Sequence, residues 1–214
     1  MKMLFKQTLA ASILSSMLVS VSYAETPANN LPKESPPDFV KRVADGLIKR
    51  LNTDKDKLKA NPKLAAAIVR DNLDPYVDAT AFTRTVMGTY ANKSSPEQRV
   101  QFEKNLRQNL IDNYGSSFSK FSNQTYTMRP YKDTKSKNPV VTIDFIDQKE
   151  KTPVSFQLAA KNNQWKIKNM SVAGIDLGLQ FRNQFAANVK RNGGNIDKAI
   201  ATFKPDAEAA VDKK

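Results

Sequence analysis

Histidine and cysteine are both missing from all 214 residues, so the two side chains most used for nucleophilic and metal chemistry are unavailable. Ser-His-Asp and Cys-His arrangements and ordinary zinc sites are thereby excluded. One pattern with catalytic spacing is present, the S-x-x-K of Ser117-Phe118-Ser119-Lys120. In penicillin-recognising enzymes that spacing sets a serine beside its base, but the S-D-N and K-T-G elements those enzymes also need do not occur. Phe118 continues an apolar helical stripe, so Ser117 and Lys120 read as its polar flank. Neither GxGxxG nor GxxxxGKS/T is present to cradle a phosphate, and the GxxxG of Gly174 and Gly178 carries meaning only in an apolar spanning helix. Acids stand beside lysines or at helix starts, and no carboxylate pair is singled out. The expectation is a protein that is not an enzyme and holds no cofactor.

What the chain supplies instead is apolar surface at regular spacing. The helix expected over residues 96–121 starts with Ser95 as N-cap, Pro96 in its first turn and Glu97 near the positive end of its dipole. Phe102, Leu106, Leu110, Tyr114 and Phe118 follow at i, i+4, widened by Ile111 and Phe121. Earlier helices carry Phe39, Val43, Leu47, Ile48 and Leu51 after Asp38, then Leu64, Ala67, Ile68 and Leu73 after Asn61-Pro62. A short piece with Phe82, Val86 and Met87 ends at Gly88.

After Ser122 the period changes to two, and residues 125–129, 140–146, 153–159 and 164–172 read as four strands. Val141, Ile143 and Phe145 face one way against Thr142 and Asp144, as do Val154, Phe156 and Leu158 against Ser155 and Gln157. In the fourth strand Met170 and Val172 are out of phase with Trp165 and Ile167, which predicts a bulge near Asn169. Short links imply an antiparallel meander. Helix returns over 176–191, Gly193-Gly194 ends it, and Asn195 caps a last short helix. These faces either close into a dry core or line a cavity for an apolar ligand; periodicity leaves both open.

The first residues and the charge bear on compartment. Lys2 and Lys6, an apolar run over 8–21 and Ser22-Tyr23-Ala24 have the form of a secretory signal peptide over residues 1–24. A proline-rich flexible leader is expected over 25–37, one domain over 38–204, and a frayed tail over 205–214. Removing Lys2 and Lys6 takes the net charge from +13 to +11. Beyond the cytoplasm such a balance favours membrane surfaces rather than nucleic acid, and a charged, aggregation-resistant exterior is the plainer explanation.

Several motifs in order resemble one family. Tyr76-Val77-Asp78 is followed by Phe82-Thr83-Arg84-Thr85-Val86-Met87-Gly88-Thr89-Tyr90, and Trp165-Lys166-Ile167 by Gly174-Ile175-Asp176-Leu177 and Phe181-Arg182-Asn183-Gln184-Phe185. With the S-P-E-Q helix and the meander between them, these resemble MlaC, the toluene-tolerance family. Met87, Asp176 and Phe181 stand where the family pattern has Leu, Ser and Tyr. The resemblance implies an α+β fold in which a four-stranded twisted antiparallel sheet and several helices enclose a deep apolar cavity. It implies a periplasmic phospholipid carrier that maintains outer-membrane lipid asymmetry. Its partners would be an MlaA–porin complex at the outer membrane and an ABC transporter with an MCE-domain MlaD ring at the inner one, with transient membrane contact. Orientation then assigns the lining to Phe102, Leu106, Leu110 and Tyr114, to Val141, Ile143, Phe145, Val154, Phe156 and Leu158, and to Trp165 and Ile167. Val86, Met87, Ile175 and Leu177 would border the mouth. The alternative is a basic membrane-surface or interaction module without a cavity.

Overall fold

The computed structural model describes residues 31–122, 124–132, 136–147 and 150–206. The expected signal peptide, the first part of the leader and the tail from 207 lie outside the described residues.

Helix α1 (Pro36–Thr53) begins two residues before the expected start at Asp38, because Ser35 Oγ accepts the Asp38 N–H at 3.2 Å and Pro36 occupies the first turn. It buries Phe39, Val40, Val43, Ala44, Leu47 and Leu51. Helices α2 (Lys55–Ala60) and α3 (Leu64–Asn72) follow, then α4 (Ala79–Met87), capped by Asp78. Helix α5 (Pro96–Tyr114) opens with a capping box between Ser95 and Gln98. It stops short of the expected 121, and Gly115–Phe121 continues as 3-10 helix. The apolar spacing hides this change. At the changeover α3 comes close: a Cβ at Gly115 would lie 2.6 Å from the Cβ of Ala66, so a glycine is required there.

The strands form one antiparallel meander, β1 (Thr125–Met128), β2 (Val140–Asp147), β3 (Glu150–Lys161), β4 (Gln164–Val172) and β5 (Ile175–Asp176), in that order. This is five strands where four were expected. Two residues cannot display a period of two, so β5 read as the approach to a helix. Asn162 and Asn163 turn the β3–β4 hairpin with positive φ, as tight hairpins require. The register of β3 on β4 passes from Gln157↔Asn169 to Leu158↔Ile167, which leaves Lys168 as the extra residue of a bulge beside the expected position. Asp176 caps α6 (Leu177–Arg191) and Asn195 caps α7 (Ile196–Thr202).

Burial separates two large apolar clusters. One joins Phe39, Val40, Val43 and Ala44 of α1 to the inner face of the sheet. The other joins α4, α5, α6 and α7 through Val86, Met87, Phe102, Leu106, Phe181, Phe185, Val189, Ile200 and Phe203. A smaller cluster of α1, α2 and α3 holds Leu47, Leu51, Leu58, Ala65, Ile68 and Val69.

Candidate functional site

Between α1 and the sheet the packing is incomplete and leaves a cavity of ≈ 130 Å³. Helix α1 contributes Val40, Val43, Ala44, Leu47 and Ile48 to the wall. The strands contribute Phe145, Thr152, Val154, Phe156, Ile167, Met170 and Val172, and Leu73 and Phe118 close the side. The exposed wall is apolar throughout. A cavity of that kind gives water no hydrogen-bond partner and suits hydrocarbon. The bulge helps to build it, since the extra Lys168 brings Met170 opposite Phe156 and Val172 opposite Val154 on the same face.

Of the residues assigned to the lining from sequence, Phe145, Val154, Phe156 and Ile167 lie on this wall. Val141, Ile143, Leu158 and Trp165 are buried in the same cluster but off this wall, and Trp165 lines a separate cleft with Glu34, Phe39, Arg42 and Tyr76. Val86, Met87, Phe102 and Leu106 are buried in the α4–α7 cluster, with Leu110 and Leu177 packed against it. The Tyr114 hydroxyl donates to the Pro205 carbonyl at 3.0 Å, and Ile175 pairs with Val172 in β5. Half of the wall residues that sequence reading did not assign, Val40, Val43, Ala44, Leu47 and Ile48, belong to α1. Their helical stripe was visible, but nothing in it says which helix crosses the sheet.

Polar groups tie the two walls together at their margins. Tyr126 of β1 donates its hydroxyl to Asp45 of α1 at 2.6 Å, and Lys41 donates to the other carboxylate oxygen. Lys41 first, and then Tyr126, hold the Asp45 carboxyl below the usual carboxylate range. Burial and then the neighbouring carboxylate push the Tyr126 hydroxyl the other way, well above its ordinary value. Just ahead of α1, the Glu34 carbonyl accepts from Trp165 Nε1 of β4 at 2.7 Å. The Glu34 carboxylate takes two bonds from Arg42, at 2.8 and 2.9 Å. The Arg42 guanidinium lies over the rings of Phe39 and Tyr76, 5.5 and 5.2 Å from their centres. The sheet's other face is polar, with Arg129 paired to Asp144 at 2.8 and 2.7 Å and the hydroxyls of Thr142 and Ser155 2.8 Å apart.

No titratable group stands on the cavity wall, so the arrangement can hold an apolar molecule but offers it no acid, base or nucleophile. Ser117 sits in the 3-10 segment, and the Lys120 side chain lies outside the described residues. Among the described residues no cluster of acids could hold a metal ion, and no helix is long and apolar enough to cross a membrane.

The family model described as MlaC protein matches residues 41–204. The toluene tolerance protein ttg2D of Pseudomonas putida is 31% identical over 182 residues, which cover 84% of this chain and 85% of that protein. The intermembrane phospholipid transport system binding protein MlaC of Haemophilus influenzae is 26% identical over 210 residues, covering 95% and 94%. Among solved structures, a phospholipid-binding protein from Ralstonia solanacearum, in complex with a phospholipid, superposes with a TM-score of 0.70 at 23% identity. That match covers 76% of this chain and 90% of the other.

Proposed function

This chain belongs to the MlaC family, and on that premise we propose that it is a periplasmic carrier that binds phospholipid by its acyl tails between α1 and the sheet. The observation that carries the reading is the apolar cavity, whose wall combines one helix with the inner face of the sheet and includes no titratable group. Transport by binding needs no covalent step, so the protein acts without enzyme activity and without a cofactor.

Two tails of about 15 methylenes each, at roughly 0.8 kcal/mol per methylene, hold the lipid against water by on the order of 20 kcal/mol. Lipid held so strongly leaves only into another apolar surface. Release therefore belongs to docking, at an MlaA–porin complex on the outer membrane and at an MlaD ring on the inner one. A cavity of ≈ 130 Å³ is below the ~300–1,000 Å³ of ordinary ligand pockets. Loading two tails thus moves α1 away from the sheet, and the Asp45–Tyr126 hydrogen bond spans the gap that widens. A signal peptide over residues 1–24 delivers the chain to the periplasm.

The test is to purify the protein gently from a Gram-negative periplasm and measure extractable phosphate and lipid mass. About one diacyl phospholipid per chain is expected, unchanged in composition after hours of incubation. Protein free of extractable phosphate would overturn the reading. Strong low-salt vesicle binding by such lipid-free protein would favour the cavity-free surface module.

A further inference from the structure

Helices α4 and α6 pack side by side, and the ring of Tyr90, in the 3-10 turn Gly88–Lys93, meets that of Phe185 edge-on at 6.0 Å. The surface they share has an unusual charge balance. Residues 79–93 and 177–191 contain no acid, yet they carry Arg84, Lys93, Arg182, Lys190 and Arg191. Elsewhere cations and acids are paired on α1, α2, α3, α5 and the sheet. Among the described residues none of these pairs includes one of the five. The acids that touch these helices lie at their ends and flanks: Asp78 and Asp176 cap α4 and α6, Glu103 of α5 accepts from Thr80 at 2.9 Å, and the Asp206 backbone is bonded to Gln180 and Gln184.

The exposed positions of α6 are Leu179, Arg182, Asn183, Ala187, Lys190 and Arg191, three of them cations and none an acid. Arg182 lies across Gly88, where an added Cβ would come within 2.9 Å of its Cδ, so its stem follows the surface. Leu179 is 44% exposed in the first turn of α6, three residues from Arg182. A protein partner is gripped through pockets and protruding anchors. A helical face with an exposed leucine among cations that have no acidic partner, one of them, Lys93, lying over the Tyr90 ring at 5.7 Å, matches the interface of an anionic bilayer.

We propose that the α4–α6 face is the surface by which this protein rests on anionic phospholipid membranes. Leu179 enters the headgroup boundary, and Lys93, Arg182 and Lys190 lie against lipid phosphates. The contact is independent of what the cavity holds, so lipid extraction and the following test can fail separately.

Each basic residue near an anionic surface is worth about a fivefold gain in affinity. The double variant Arg182→Gln/Lys190→Gln should therefore bind vesicles of equimolar phosphatidylcholine and phosphatidylglycerol about 25-fold more weakly in co-sedimentation, with Leu179→Ser weakening it further. Lys49→Gln/Lys63→Gln removes the same charge from exposed positions on α1 and just before α3, and should change binding less than about threefold. An unchanged thermal transition checks that each variant is folded, and vesicles of phosphatidylcholine alone should bind none of them. A separation of less than about fivefold between the two double variants would overturn the proposal. Equal losses would mean that net charge alone attracts the protein. No loss in either would leave the face to an acidic protein partner.

Discussion

Filling the cavity should damage lipid carriage more than folding, and the structure identifies where to fill it. Ala44 is 8% exposed and lines the wall from α1, so Ala44→Leu directs three more carbons into ≈ 130 Å³ of apolar space. At about 30 Å³ apiece, the volume share of a liquid water molecule, those carbons need roughly 90 Å³. Their burial is favourable by roughly 2 kcal/mol at 0.8 kcal/mol per carbon. The thermal midpoint should stay level or rise, while bound phospholipid per folded chain falls. Leu106→Trp is the contrast. Leu106 is 2% exposed within the α4–α7 cluster and is not on the wall, so the larger ring meets packed neighbours. Overpacking costs about 1–3 kcal/mol. At 2–4 °C per kcal/mol for a domain of this size, the midpoint should fall by roughly 2–12 °C. Lipid per folded chain should not change. Calorimetry with phosphorus analysis of the folded fraction measures both quantities. If Ala44→Leu unfolds the protein or leaves it fully loaded, and Leu106→Trp folds well but empties it, the lipid compartment lies among the helices and the placement argued here is wrong.

Three further outcomes follow from particular contacts. The Asp45 carboxyl is held below its ordinary value of 3.8, so its stabilisation is present above that pH and lost as pH falls through the folded value. In urea titrations the advantage of wild type over Asp45→Asn should shrink as the pH drops below 3.8; a constant gap would show that the ionised carboxylate is not what Lys41 and Tyr126 stabilise. Gly88 has φ +54° and ψ −129°, which a residue with a side chain adopts only with strain, so Gly88→Ala should cost about 1–3 kcal/mol in denaturant unfolding. Retention of full stability there would contradict the backbone geometry. Salt at about 1 M, where the Debye length is ~3 Å, should release the protein from anionic vesicles yet leave its bound lipid in place, as phosphorus analysis would show. Stripping of lipid by salt would mean that the headgroup rather than the tails dominates retention.

Local rules made much of the fold legible. The caps expected at Ser95 and Asn195 act through side-chain oxygens on backbone N–H groups within three residues, so sequence neighbourhood contains the whole interaction. The bulge was legible for a similar reason, since Met170 and Val172 can share a face with Trp165 and Ile167 only if one residue is extra. Long-range choices were not legible in this way. Both α1 and α5 carry an apolar stripe, and only tertiary packing decides that α1 crosses the sheet while Phe102 and Leu106 meet Phe181, Phe185 and Phe203. The end of α5 was hidden as well. It coincides with the approach of Gly115 to Ala66, which joins residues 49 positions apart, and the lone glycine inside an apolar stripe was the available sign.

Lys168 gives one residue a double responsibility. Upstream of it, β4 shows Trp165 and Ile167 to the interior. Downstream the alternation is offset, which sends Met170 and Val172 inward and turns Asn169 to the other side. There the Asn169 carbonyl accepts the Gly178 N–H at 3.1 Å, and its amide donates to both carboxylate oxygens of Asp176, at 2.9 Å each, which fixes the first turn of α6. Excising this lysine would reverse both assignments together. Asn169 and Ser171 would become hydrophilic intruders in the hydrocarbon compartment, and α6 would lose its anchorage to the strand. A change of length at this point is thus less tolerable than most changes of identity, and the lysine side chain matters less than the backbone unit it supplies.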